Sequence, residues 1–184
     1  MDDLHERVGK PLSDSDLTRL LPDHPKIIKY SELDRYNDIR ELLPKDRDYV
    51  VLLVEQKLNR GHWVALLRNG NMIEYFDPYG YRPDKALLWT PRQLRKRLGQ
   101  DELHLSHLLN KAKDDGMKVV FGETSYQKRD DPGVQTCGRH LVMRIRHLLH
   151  NEDSSPKTYP RDMERAKREA GVTFDLLVTA GVKE

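Results

Sequence analysis

The dipeptide Asn69-Gly70, set between the apolar runs 62–67 and 72–76, constrains the fold more than any other feature. A two-residue hairpin loop needs positive φ at its centre. Asn-Gly supplies it cheaply, so the two runs are expected to pair as antiparallel strands. Just upstream, residues 49–55 (YVVLLVE) are apolar without alternation, the pattern of a strand covered on both faces. Such a strand needs a layer on each side, and the flanking sequence offers helices. One is predicted over 13–21, with Ser13 as cap and Leu17, Leu20 and Leu21 on one face. A second is opened by Ser31, carries Leu33, Tyr36, Ile39, Leu42 and Leu43 at helical spacing, and is stopped by Pro44.

Thr90-Pro91 reads as cap and first residue of a helix to about Leu98, and another runs from about Leu103 to Gly116. Residues 26–30 and 117–121 read as short strands. Beyond the polar loop 126–136, Leu141, Ile145, Leu148 and Leu149 share a helical face. A polar helix is expected over 161–170, ended by Gly171, and residues 172–182 are ambiguous between helix and strand. The pattern predicts an α+β fold: a small, mostly antiparallel sheet with a central hairpin, packed by helices. At 184 residues it is expected to be one domain, residues 1–184, and a monomer.

Charge excludes some classes. Lys and Arg number 32 against 30 Asp and Glu, so the net charge of +2 is too balanced for a tail-type nucleic-acid binder. No apolar run is long enough to span a bilayer, and the polar start MDDLHERVGK does not read as a secretory leader. A single cysteine excludes an internal disulfide framework and any Cys-rich metal site, and points to a reducing compartment.

That cysteine, Cys137, stands where the polar loop becomes a helix, followed by Gly138. The position favours a thiolate and offers backbone N–H donors to an anion. A buried small hydrophobe is the competing reading. A nucleophile needs a base and an orienter from elsewhere in the chain. Pairing centred on Asn69-Gly70 sets His62 directly opposite Asp77, close enough to share the hydrogen bond that fixes an imidazole tautomer. A solvent-edge pair of small energetic consequence is the alternative for these two. His140, on the helix of Cys137, is a poorly directed base. His104 with His107, and His147 with His150, have metal-ligand spacing but no further ligands, so no metal is expected. Arg92, Arg95, Lys96 and Arg97 form one basic cluster, and Arg139, Arg144 and Arg146 a second; each is either a solvated face or a nucleic-acid contact.

Taken together, Gly61-His62-Trp63-Val64-Ala65, Tyr75-Phe76-Asp77-Pro78-Tyr79-Gly80-Tyr81, Ser125-Tyr126-Gln127 and Thr136-Cys137-Gly138 resemble the adenain family. These are the maturation proteases of adenoviruses and their relatives in large DNA viruses and virophages. Their papain-like core is shared with the SUMO-type ubiquitin-like-protein proteases. The matching blocks lie within residues 48–150, in the family's order His, Asp, Gln, Cys; the two terminal arms match nothing in it.

The resemblance implies a cysteine endopeptidase with Cys137 as nucleophile, His62 as general base, Asp77 as its orienter and Gln127 as a side-chain oxyanion donor. The backbone N–H groups of Cys137 and Gly138 would complete the oxyanion hole, and Trp63 would line the substrate groove. Gln127 lies ten residues before the cysteine where the family has six or seven, which reads as a longer loop over 128–134; Gln135 is the competing donor. The implied substrates are viral capsid or core precursors cut at small-residue, glycine-containing sites, in the virion and the infected cell. No cofactor is required by the chemistry. DNA or a peptide is a candidate activator, with Arg92, Arg95, Lys96 and Arg97 as the nucleic-acid contacts, and a disulfide-linked peptide is not expected with no second thiol in the chain. A ubiquitin-like-protein deconjugating protease, or an acetyltransferase, would use the same core. A non-catalytic scaffold or DNA-binding protein would use only the basic helices.

Overall fold

A computed structural model describes residues 2–183. The fold is α+β, built on a five-stranded sheet in sequence order. Its strands are β1 (Lys26–Lys29), β2 (Tyr49–Lys57), β3 (Arg60–Asn69), β4 (Met72–Phe76) and β5 (Lys118–Phe121). The three central strands form an antiparallel meander, and β1 and β5 join its two sides in parallel. Strand alternation explains the uninterrupted apolar run of β2. Val51 and Leu53 join Trp63, Ala65, Leu67 and Phe76 on one face, whereas Val50, Leu52 and Val54 join Val64, Leu66, Ile73 and Tyr75 on the other.

The first face is covered by α2 (Asp14–Leu20), α6 (Cys137–His150), α7 (Thr158–Ala170) and α8 (Phe174–Gly181). On the second lie a 3₁₀ turn (Tyr30–Arg35), α3 (Ile39–Leu42), a second 3₁₀ turn (Lys85–Trp89) and α5 (His104–Asp114). Two short helices, α1 (Asp2–Val8) and α4 (Arg92–Arg97), complete the chain. Ser13 caps α2 as expected, in a reciprocal capping box with Asp16.

Three expectations are corrected. The helix read from Ser31 to Leu43 is broken in two: Tyr36 is extended, and Asp38 starts a new helix by accepting from the Arg40 N–H. The hairpin loop is Gly70-Asn71 rather than Asn69-Gly70, because Asn69 pairs with Met72. Only Gly70 has positive φ (59°), the pattern of a type II′ turn instead of I′. Finally, Arg139 and Arg144 do not form a solvated cluster with Arg146, since both are fully buried. Arg144 forms a forked ion pair with Glu74 (2.5 and 3.1 Å), and Arg139 Nη1 donates to the Lys10 carbonyl at 2.6 Å.

Candidate active site

β3 delivers His62 and the end of β4 delivers Asp77. In the observed register the last pair is Ala65 with Phe76, so continuing the ladder sets Asp77 opposite Val64 and not opposite His62. The offset is two residues, and an even offset keeps both side chains on one face of the sheet. The two meet diagonally, with His62 Nε2 2.8 Å from Asp77 Oδ1. Both residues are buried, so this is no solvent-edge pair.

The segment Asp77-Pro78-Tyr79-Gly80 is a tight turn that fixes the carboxylate. Gly80 N–H donates to the Asp77 carbonyl, and Tyr79 N–H donates to Asp77 Oδ1, each at 2.8 Å. Gly80 takes φ +70°, and a Cβ there would lie 2.7 Å from the carbonyl oxygens of Glu123 and Thr124. Glycine is therefore required twice over, by conformation and by space. The Pro78 carbonyl accepts the N–H groups of Tyr126 and Gln127 (2.8 and 2.9 Å), which ties this turn to the segment carrying Gln127.

Cys137 is the first residue of α6 and is buried. It sits beside His62, near enough to bear on the charge of the imidazole. With Nε2 taken by Asp77, Nδ1 is the ring nitrogen left for sulfur. Burial pushes the imidazole toward its neutral form, but the Asp77 carboxylate and then Cys137 outweigh it, and the His62 pKa is raised to about 10. The imidazolium is thus the resting form at neutral pH. No side chain caps α6, so the N–H groups of Cys137 and Gly138 are not taken up by a capping residue. A Cβ on Gly138 would come within 3.0 Å of Leu12 Cβ, which explains the glycine after the cysteine.

Aromatic rings wall the imidazole. Tyr79 stacks on His62 with centroids 4.9 Å apart, and Trp89 meets it edge-on at 5.3 Å. Tyr81 packs against both, under the Arg129 guanidinium at 4.4 Å. Trp89 was not foreseen; it is a lone aromatic beyond the turn, without a local pattern to link it to His62.

Gln127 is buried, and its amide N–H₂ donates to the Val134 carbonyl at 3.0 Å. Gln135 is half-buried and bonds the Pro132 carbonyl at 3.1 Å. Trp63 faces away from His62 across the strand, donates its indole N–H to the Leu12 carbonyl at 3.0 Å, and lines a cavity of about 840 Å³ that Gln135 also borders. His140 is fully buried and turned to Asp175, at 3.1 Å. Asp175 has no sequence signal relating it to Cys137. Arg92, Lys96 and Arg97 are exposed and Arg95 half-buried, and none of the four forms an ion pair among the described residues.

Among the described residues there is no group of three or more His, Cys, Asp or Glu able to hold a metal ion, and no helix is long and apolar enough to cross a membrane. His147 is engaged instead by Ser154 and Asp162.

Chemically, a buried thiol beside an imidazolium, an orienting carboxylate and an uncapped helix start form the arrangement of a thiol nucleophile. No protein-family model matches the chain. It is 36% identical over 176 residues to the uncharacterized protein V9 of the Sputnik virophage, a match covering 95% of this chain and 94% of that protein. With such a match running almost the full length of both chains, the protein belongs to the family of the Sputnik virophage V9 protein.

Proposed function

We propose that the protein is a cysteine endopeptidase of the adenain type that processes capsid or core precursor proteins of the virus encoding it. The observation carrying this reading is the buried His62–Asp77 hydrogen bond, with the buried Cys137 beside the same imidazole and raising its pKa. In this reading the Cys137 thiolate, paired with the His62 imidazolium, attacks a peptide carbonyl and forms a C–S bond. The tetrahedral oxyanion is held by the backbone N–H groups of Cys137 and Gly138 and by the amide of Gln127; one such donor contributes about 3 kcal/mol. His62 gives its proton to the leaving amine as the C–N bond breaks. It then takes a proton from the water that hydrolyses the thioester, and the thiolate–imidazolium pair is restored.

The substrates are polypeptides cut at small-residue, glycine-containing sites. The setting is the virion and the infected cell, in line with a relative encoded by a virophage. The exposed cations Arg92, Lys96 and Arg97, with Arg95, give an activating DNA or peptide a docking face. Incubating the full chain with the structural precursors of its own virus tests the reading. Defined fragments should appear with the wild type and not with Cys137→Ala. Identical digests from the two proteins would refute it.

A further inference from the structure

The C-terminal helix α8 carries a carboxylate that touches both halves of the candidate site. Asp175 is only 6% exposed. Its Oδ1 accepts from the Thr136 hydroxyl at 2.5 Å and from His140 Nε2 at 3.1 Å. Oδ2 accepts the backbone N–H of Lys128 at 3.0 Å. Thr136 and His140 bracket Cys137 in the first turn of α6, and Lys128 directly follows Gln127. One side chain therefore joins the peptide bearing the nucleophile to the peptide bearing the oxyanion donor.

The chemistry of the cluster favours a fixed, ionised strut. Burial pushes the pKa of Asp175 up, toward the neutral acid, but the hydrogen bonds from His140 and Thr136 prevail and hold it below the usual carboxylate range. Burial wins at His140, whose pKa is lowered despite the carboxylate, so the ring is neutral. Its Nε2 must then carry the proton given to Asp175. Nδ1 is buried without a hydrogen-bond partner, so the ring has no relay to pass a proton along. Asp175 is itself held on a capped helix: Thr173 accepts from the Leu176 N–H, and the Thr179 hydroxyl donates to the Asp175 carbonyl. The hydroxyl of Thr136, from which Asp175 accepts, belongs to the residue directly before Cys137, so the carboxylate stands close to the reacting groups. A negative charge there opposes a developing oxyanion, so its field cannot be its service to the reaction. Geometry can.

We propose that Asp175 is a positioning residue: its two oxygens hold the Gln127-Lys128 peptide and the Thr136-Cys137 helix start at a set separation, so that donor and nucleophile meet the same carbonyl group. This rests on the peptidase reading. It also gives the C-terminal arm, outside the blocks that resemble a protease, a part in catalysis.

The test uses the full chain, one peptide substrate and the variants Asp175→Ala, Asp175→Asn and Gln127→Ala. Asp175→Ala should lower kcat about tenfold or more with KM within about twofold, and leave alkylation of Cys137 by iodoacetamide within about twofold. Asp175→Asn should recover part of the loss, because its remaining oxygen still accepts from Thr136 and His140. Combining Asp175→Ala with Gln127→Ala should cost no more than Gln127→Ala alone. Amide hydrogen exchange, which needs no activity, should speed up at Lys128 and in the first turn of α6 in Asp175→Ala. If that variant does not fold, Thr136→Val removes one donor and should give the same kcat-only loss in smaller measure. Wild-type kcat in Asp175→Ala, additive losses in the double variant, or unchanged exchange at Lys128 would each overturn the proposal. A wild-type chain without peptidase activity would overturn the functional reading instead, and the exchange data would then decide alone whether Asp175 holds the two segments.

Discussion

His62 and Asp77 meet across the sheet at 2.8 Å although they are not a cross-strand pair; they are diagonal neighbours, brought together by the turn that follows β4. The Asp77 oxygen that faces the ring also accepts the Tyr79 N–H, so the carboxylate is fixed before it meets the imidazole. Asp77→Asn keeps the shape and presents either an oxygen or an N–H₂ to Nε2, one of which imposes the wrong tautomer. We expect a large fall in kcat with an unchanged circular dichroism spectrum. In the double variant with His62→Ala, the loss should equal that of His62→Ala alone; additive losses would assign Asp77 another task.

The raised pKa of His62 makes stability depend on pH in a defined direction. A histidine whose pKa is raised from 6.5 to about 10 on folding contributes stability that is complete below about pH 6.5 and is lost as the pH climbs through 10. Chemical denaturation of wild type and His62→Gln should show a gap that narrows over this interval. His62 is also the group placed to take the thiol proton, so His62→Gln should slow alkylation of Cys137 at pH 6.5 about tenfold or more. A gap constant from pH 6 to 10, or equal alkylation rates, would exclude the charged pair.

For the oxyanion donor, Gln127→Ala should lower kcat about a hundredfold while Cys137 alkylation stays near wild type, because a transition-state donor does not act on the resting thiolate. Gln135→Ala should cost little. One peptide substrate and both variants suffice, and the reverse ranking would move the role to Gln135.

Arg144 and Glu74 form a buried, forked ion pair, and removing one partner strands a charge in the core. Arg144→Met should destabilise the fold by about 3–5 kcal/mol in urea titrations. Arg144→Met with Glu74→Leu should recover much of that, since neither charge is then left without its counterpart.

What the chain made legible follows from local physics. The unbroken apolar run at 49–55 required two covering layers, and two cores are present. The hairpin was readable, but its loop was misplaced by one residue. That displaced the register by two and, the period being two, left His62 and Asp77 on the same face. Two misreadings had signals in the sequence. Asp38 with Glu41 three residues later is a helix-start pattern inside the supposed long helix. Arg144 lies on the same helical face as Leu141 and Leu148, so its burial follows from the periodicity that identified α6. Trp89 and Asp175 had no such signal: their contacts with the site are set by packing across distant segments, which no local pattern encodes.

The basic helix α4 was legible as a cluster, and its Arg92, Lys96 and Arg97 are exposed without acidic partners among the described residues, whereas Arg95 is half-buried. If it docks DNA, replacing Arg95, Lys96 and Arg97 by Gln should flatten both the stimulation of peptidase activity by DNA and its salt dependence. Activity indifferent to added DNA at every salt concentration would remove the activator.

The Pro78 carbonyl, which receives the N–H groups of Tyr126 and Gln127, has a bearing on how the loop before Cys137 would tolerate insertions. Gln127 is anchored from the side of the acid-bearing turn, and its amide reaches forward to the Val134 carbonyl. Residues 128–133 are thus a largely exposed bight between two fixed moorings, held along its length by the Lys128 N–H on Asp175 and the Arg129 guanidinium on the Tyr79 carbonyl. Lengthening such a bight costs little closure entropy, about 0.6 kcal/mol for each doubling. The interval between Gln127 and Cys137 can therefore lengthen or shorten by several residues while the anchored ends stay in place, so a change in that spacing is confined to the surface and leaves the two residues where they are.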